Sequence, residues 1–300
     1  MDVDVLIVGA GPAGSSAALV LARSRRSIAL CNDNKPRNAA SQAIHGLLTH
    51  EGQSPAALTE ASHRALVSYE TITHCNERVI SISAHEGSFR FWTAMGSGGR
   101  ARKVLLATGI VDTLPDIPGL EKLYGKSVHH CLYCDGYEYR DQRLAAFGEP
   151  GKGVELARMM LLWSRDIVLC TNGETLTREQ QDTLTRNGID FNVVPITSLE
   201  YSDGRLDGIR FDDGGFTNCK ALFFTTGCMP GSDLGEKLGC TFDDKGGLVV
   251  SENCETSIPG VFVAGDASRD VLQIAVALGE GARAGVEINK ALLREDGLCS

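Results

Sequence analysis

Val3-Asp4-Val5-Leu6-Ile7-Val8-Gly9-Ala10-Gly11-Pro12-Ala13-Gly14 is the stretch whose reading decides the fold. Its first six residues, rich in branched apolar side chains, read as a buried parallel strand. The glycine turn opens a helix over residues 15–24, and residues 27–31 return as a second strand, completing a βαβ unit. Each glycine has its own task. Gly9 makes the tight turn, Gly11 lets backbone approach a pyrophosphate, and Gly14 lets helix pack on strand. The flanking strand and helix turn an otherwise weak GxGxxG pattern into a dinucleotide site.

Further along, residues 104–109 form another strand ending in a glycine, and residues 260–266 a third. After the latter come Leu272-Gln273-Ile274-Ala275 and a glycine- and alanine-rich helix to about Leu293. A second βαβ plan lies in the middle: strand 143–147, turn 148–153, helix 154–163 and strand 166–170. Three hundred residues, 43% hydrophobic with 34 glycines, suit an α/β protein of about two domains. Pro115, Pro118 and Gly119 mark one junction, and Pro230-Gly231 the other.

The net charge of −9 is spread without long runs, which argues against nucleic acid or an anionic membrane as the partner. No apolar run approaches a membrane span, and the first one starts after an acidic residue, as a strand does and a signal peptide does not. Ten cysteines, mostly inside strand-like runs, are too irregular for a disulfide scaffold and fit a reducing, cytoplasmic compartment. Two stand apart: Cys131-Leu132-Tyr133-Cys134, followed by Asp135-Gly136. Thiols at this spacing can close reversibly into a disulfide, and a neighbouring flavin can take the two electrons released. The competing reading is half of a zinc site. No second CxxC or Cys/His pair completes it, and Cys240 and Cys254 are too far apart, so no metal is expected. The remaining cysteines read as apolar filler or surface thiols.

GAGPAG at 9–14, PRN at 36–38, HG at 45–46, ATG at 107–109, CLYCDG at 131–136 and AGDA at 264–267 occur in one order. In this the chain resembles, from end to end, the low-molecular-weight thioredoxin reductase family. The resemblance implies an α/β fold of two Rossmann-like, doubly wound domains, the second inserted in the first. It places an FAD domain over 1–113 and 232–300 and a nucleotide-binding-like domain carrying the CxxC over 114–231. It also implies a homodimer and an FAD site. Gly9, Gly11, Pro12, Ala13 and Gly14 would hold the phosphates, with Arg37 and Asn38 after the second strand, and with Val79, Thr108 and Gly109. Asp266 would take the ribityl chain, and Gln273, Ile274 and Ala275 would lie by the ring with a helix N-terminus aimed at it. An acidic residue normally ends the second strand. Here Asn32 stands there with Asp33 next, and either side chain could hydrogen-bond a ribose. His45 is placed beside the ring, with a packing role the competing reading.

Two departures matter. In Gly148-Glu149-Pro150-Gly151-Lys152-Gly153, proline takes the middle glycine position, removing an N–H and adding bulk where a pyrophosphate would touch. After the next strand, Thr171-Asn172-Gly173-Glu174 stands where the reductases carry an arginine-rich grip on the 2′-phosphate. Both argue against NADPH; NADH is less excluded, although Glu149 would repel its pyrophosphate. CLYCDGYE with a degraded nucleotide turn resembles the flavin dithiol oxidases of gliotoxin and holomycin type. That resemblance implies a small dithiol oxidised to a disulfide, with dioxygen reduced to hydrogen peroxide, in a secondary-metabolite pathway. The alternative is a thioredoxin-disulfide reductase fed by NAD(P)H or ferredoxin. By the same resemblance Cys134 faces the flavin and Cys131 meets substrate. Thiolates are the reactive species, so a base is needed. Asp135 matches the family's acid/base residue; His129 and His130 flank Cys131 with ordinary pKa values in the working range, and His130 is the second choice.

Overall fold

A computed structural model describes residues 1–268 and 271–299 of the chain. It divides into two compact units. The first comprises Met1–Ala39, Ala56–Val111 and Met229–Ser300, and the second Ala40–Pro55 and Asp112–Cys228. Residues 40–55 thus group with the CxxC-bearing unit, whereas the sequence reading placed them in the other.

In the first unit, β1 (Asp2–Val8), α1 (Pro12–Arg23) and β2 (Ile28–Cys31) form the βαβ motif, followed by α2 (Pro55–Val67), β3 (Ile72–Cys75), β4 (Val79–His85), β5 (Ser88–Thr93) and β6 (Gly98–Leu106). The seven-stranded sheet runs β3-β2-β1-β6-β5-β4, with Val261–Val263 also on β6. β6 is long enough to serve both: Gly98–Ala101 pairs antiparallel with β5, and Val104–Leu106 pairs parallel with Val261–Val263. The second half of β1, Val5–Val8, is buried on both faces, as its apolar run requires. Val5 and Ile7 pack among α1 and the long helix Ile274–Glu295. Leu6 and Val8 pack with Phe89, Phe91 and Ile82 of the β4–β5 hairpin. The two helices cross closely because a Cβ on Gly281 would overlap the backbone of Ala13.

The second unit is built on a parallel sheet ordered Asp190–Asn192, Ile167–Cys170, Leu144–Phe147, Ala221–Phe224, Val128–His129. A three-stranded antiparallel sheet, Ile196–Ser202, Arg205–Phe211 and Phe216–Asn218, packs Leu199, Leu206, Ile209 and Phe211 into the same core. Carboxyl ends of parallel strands are where α/β sheets place their chemistry. Here the CxxC follows the end of Val128–His129, and the turn 148–153 follows the end of Leu144–Phe147. Among the described residues no helix is long and apolar enough to cross a membrane.

Candidate active site and cofactor groove

The groove of the first unit lies at the carboxyl ends of β1 and β2, lined by Val8, Gly9, Asn32, Glu77, Val79 and Thr108 among others. Gly9 has φ +102°, and a Cβ there would overlap the carbonyl of Ala107; a Cβ on Gly14 would overlap that of Gly9. Both positions admit only glycine. Gly11 is the N-cap of α1, with nothing within 4 Å of a Cβ placed on it. The approach to the first-turn amides of Ala13 and Gly14 is therefore open, and Pro12 at N1 gives up an N–H the helix would not have used. An anion at a helix N-terminus with this open approach is the arrangement a dinucleotide pyrophosphate requires. The residues present fit that group.

Other candidates gather in the same unit. Arg37 and Asp266 form an ion pair at 2.9 Å, so each partly neutralises the other. Asn32 accepts a hydrogen bond from the Ala10 N–H at 3.4 Å and donates to Asn34 at 2.7 Å, supporting the glycine loop from its own strand end; Asp33 is exposed. Asn38 lies in the short 3-10 turn Arg37–Ala40. Val79 is buried at the start of β4, and Gly109 has φ +62°. Gln273 is the N-cap of the long helix, whose first turn carries Ile274 and Ala275. A contributor the sequence did not reveal is Glu77, which accepts from Thr93 and, at 2.9 Å, from Ser97, tying the start of β4 to the β5–β6 turn. His45 belongs to the second unit, where it lies between two carboxylates, Nδ1 2.6 Å from Glu51 and Nε2 3.7 Å from Glu138.

In the second unit Cys131 and Cys134 are joined in a disulfide. Cys131 is the N-cap of the short helix Leu132–Asp135, its sulfur accepting from the Cys134 N–H at 3.2 Å. That bond ties the motif into one turn, and both cysteines are partly exposed. No group of three or more His, Cys, Asp or Glu that could hold a metal occurs among the described residues.

Asp135 closes that helix with Oδ1 3.2 Å from Nδ1 of His129. His129 is buried, its ring stacked on Phe223 at 5.5 Å and tilted against Tyr139 at 5.4 Å, and its Nε2 has no hydrogen-bond partner. The Tyr139 hydroxyl donates to the Lys126 carbonyl, and burial, reinforced by the Asp135 carboxylate, pushes its phenol above the usual range. On the other side of the sequence pair, His130 Nδ1 lies 3.0 Å from the Tyr124 hydroxyl, which donates to Asp112 at 3.1 Å. Tyr133, between the cysteines, is exposed and meets Trp163 edge-on at 5.7 Å; Tyr137 is exposed under the Arg140 guanidinium.

The helix after the second glycine turn runs Pro150–Met160, beginning four residues before the sequence reading placed it, because Pro150 occupies N1. Its N-cap is Glu149, one residue after Gly148, whereas α1 is capped by Gly11, two after Gly9. Gly148 and Gly153 keep the strand-to-helix packing: a Cβ on Gly153 would lie 3.0 Å from the Gly148 carbonyl oxygen. What differs is the anion-facing part, where a carboxylate residue caps the helix and proline lacks the amide. Beyond the next strand, Thr171 donates to the Glu174 carbonyl, Asn172 accepts from the Ile196 N–H at 2.7 Å, and the Gly173 N–H donates to Val193. The first bond closes the loop, the other two tie it to residues 193–196, and residues 171–174 present no cation.

Of the other cysteines, Cys31, Cys75, Cys170, Cys219, Cys240 and Cys254 are buried, Cys228 is partly exposed and Cys299 exposed. Burial pushes Cys31 and Cys170 well above the ordinary thiol range and Cys219 up to about 12.

Residues 3–281 match the pyridine nucleotide-disulphide oxidoreductase family. A relative named thioredoxin reductase sirT, from Leptosphaeria maculans, is 31% identical over 98% of this chain and 95% of its own length. The solved structure of HlmI superposes with a TM-score of 0.94 at 31% identity, covering 99% of this chain and 94% of that one. Thioredoxin reductase from Streptococcus pyogenes MGAS5005 superposes with a TM-score of 0.89 at 26% identity, covering 98% and 99%. The likeness to thioredoxin reductases read from the ordered motifs is borne out, as is the two-Rossmann α/β fold.

Proposed function

The chain belongs to the pyridine nucleotide-disulphide oxidoreductase family, and from that premise we propose that it oxidises a small dithiol to a disulfide through Cys131 and Cys134, with dioxygen as final acceptor. It is an oxidoreductase, and FAD is its cofactor. Bound in the groove behind Gly9, Gly11 and Gly14, FAD supplies a two-electron relay between the enzyme dithiol and the acceptor.

A substrate thiolate attacks Sγ of Cys131, breaking the Cys131–Cys134 bond and releasing Cys134 as a thiolate. The second substrate thiolate then attacks its own sulfur in the mixed disulfide, closing the substrate disulfide and releasing Cys131. Two electrons and two protons have now passed from substrate to enzyme. Asp135 and His130, next to the two cysteines, hold and return the protons. Restoring the Cys131–Cys134 disulfide sends the electron pair and protons on to dioxygen, so the overall change is dithiol plus O2 to disulfide plus H2O2.

The observation that carries this reading is the pairing of an intact CxxC disulfide with a nucleotide turn that puts Glu149 at the helix N-cap and Pro150 at N1. The dithiol end is complete, and the pyridine-nucleotide end lacks both amide and cation. A homodimer acting in a reducing cytoplasm on a secondary-metabolite dithiol suits this reading. The names of relatives favour a second one, a thioredoxin-disulfide reductase fed by NAD(P)H or ferredoxin. A panel of reduced small dithiols assayed for peroxide release tests the proposal. Peroxide matching disulfide one to one supports it; reduction of thioredoxin by NADPH at a catalytic rate, with no peroxide from any dithiol, would replace it with the reductase.

A further inference from the structure

We infer that His129, the buried imidazole two residues before Cys131, is a positioning residue: its Nδ1–H donates to Asp135 and fixes the carboxylate that takes a thiol proton at the CxxC. That role rests on the dithiol reading, which gives Asp135 its proton-handling task.

The surroundings of the ring select one tautomer. His129 stands opposite Phe223 in the parallel pairing of Val128–His129 with Ala221–Phe224. It stacks on that ring at 5.5 Å, with Tyr139 tilted against it at 5.4 Å. Only 5% of its side chain is exposed, and its Nε2 is buried with no hydrogen-bond partner among the described residues. Nδ1, by contrast, lies 3.2 Å from Asp135 Oδ1. A neutral imidazole carries one N–H. Placed on Nε2, that hydrogen would be a buried donor without an acceptor, and the bare Nδ1 would set its lone pair against the carboxylate. Placed on Nδ1, it makes a charge-assisted bond to Asp135. The orphaned Nε2 costs stability that a leucine in the same aromatic cage would not, so packing alone gives no reason for histidine here. Asp135 is tied at its backbone as well, where its N–H donates to the Cys131 carbonyl at 3.2 Å. Main chain and side chain together hold it between the first cysteine and the sheet, with 20% of the side chain exposed to receive a proton.

The test uses the full-length FAD-loaded protein with 15N-labelled histidine, the His129 signals being those absent from His129→Leu. The neutral ring of the wild type should be protonated at Nδ1. His129→Leu fills the cage without a donor: it should melt no lower than wild type, yet slow dithiol-driven flavin reduction roughly 10-fold, and should add nothing to the loss caused by Asp135→Asn. His129→Asn returns an N–H near the place of Nδ1 but underfills the cage, so it should recover most of the rate while melting lower. Rate and stability therefore move in opposite directions across the two variants, which a merely structural histidine would not produce. Protonated Nε2 in the wild type, a full rate or a clearly lower melting temperature in His129→Leu, or equal rate losses in the leucine and asparagine variants would each overturn the inference. If the wild type oxidises no dithiol, the functional reading falls while the spectra still decide whether His129 donates to Asp135.

Discussion

Asp135 Oδ1 and His129 Nδ1 stand 3.2 Å apart, joining the residue after the second cysteine to a buried imidazole two residues before the first. The carboxylate is therefore held in place by a ring that is itself stacked on Phe223, and its position relative to the disulfide is set by the sheet.

Replacing that carboxylate should leave the cofactor and remove the proton acceptor. Asp135→Asn is expected to bind FAD normally and to lose roughly 100-fold in the rate of dithiol oxidation. Stopped-flow flavin absorbance under dithiol checks it, and an unchanged rate would move the proton-handling role elsewhere.

The proposed mechanism gives the two sulfurs separate tasks. Cys134→Ser should retain FAD and let substrate form a mixed disulfide only with an exogenously activated Cys131, with turnover abolished. Mass spectrometry of the trapped adduct and a peroxide assay read the two outcomes. Undiminished turnover would remove the dithiol relay.

At Gly14 the first added carbon overlaps the Gly9 carbonyl, and backbone cannot move aside as a flexible side chain can. Gly14→Ala should lower the flavin-to-protein ratio and the melting temperature together. Gly151→Ala, with nothing within 4 Å of the added carbon, should change neither. Absorbance ratios and thermal melts of the two variants provide the comparison.

Acid sensitivity has a local source in the first unit. Burial pushes the Asp4 carboxyl up, but hydrogen bonds from the Ser27 N–H and hydroxyl and the Arg102 guanidinium outweigh it and leave the pKa below its ordinary value of 3.8. Asp296 is likewise held low by hydrogen bonds from Arg26 and Arg102. A depressed folded pKa contributes stability above the unfolded value and loses it as pH falls through the folded one. Asp4→Asn should therefore melt lower than wild type at pH 7, and the difference should fade as the pH drops below about 3.8. Melting curves across pH 2–7 check the direction.

The local pieces of the fold were legible because they obey short-range rules: an apolar run, a turn that only glycine can make, and a small-residue helix. The ends of helices were less so. Residues 154–163 looked like the second helix because apolar periodicity begins there, yet the helix starts at Pro150, whose fixed φ favours N1. The cysteine pair was legible from spacing alone, and His130 from adjacency. Tyr124 and Asp112 were not, since they lie 6 and 18 residues before His130 and meet it only through tertiary packing. The partners of His45 were not legible either, because an adjoining motif says nothing about them; Glu51 and Glu138 flank it in the second unit. The loss of cations after Ile167–Cys170 could be read as composition, but the closure of that loop by Thr171 and Asn172 required the folded chain.

Anaerobic titration of the flavin-loaded protein with a small dithiol and, separately, with NADPH addresses the electron source directly. Bleaching of the flavin by the dithiol, absence of bleaching by NADPH, and return of the colour with peroxide on admitting air is the expected result. Rapid, stoichiometric bleaching by NADPH with no response to any dithiol would contradict the assignment of Cys131 and Cys134 as the point where electrons enter.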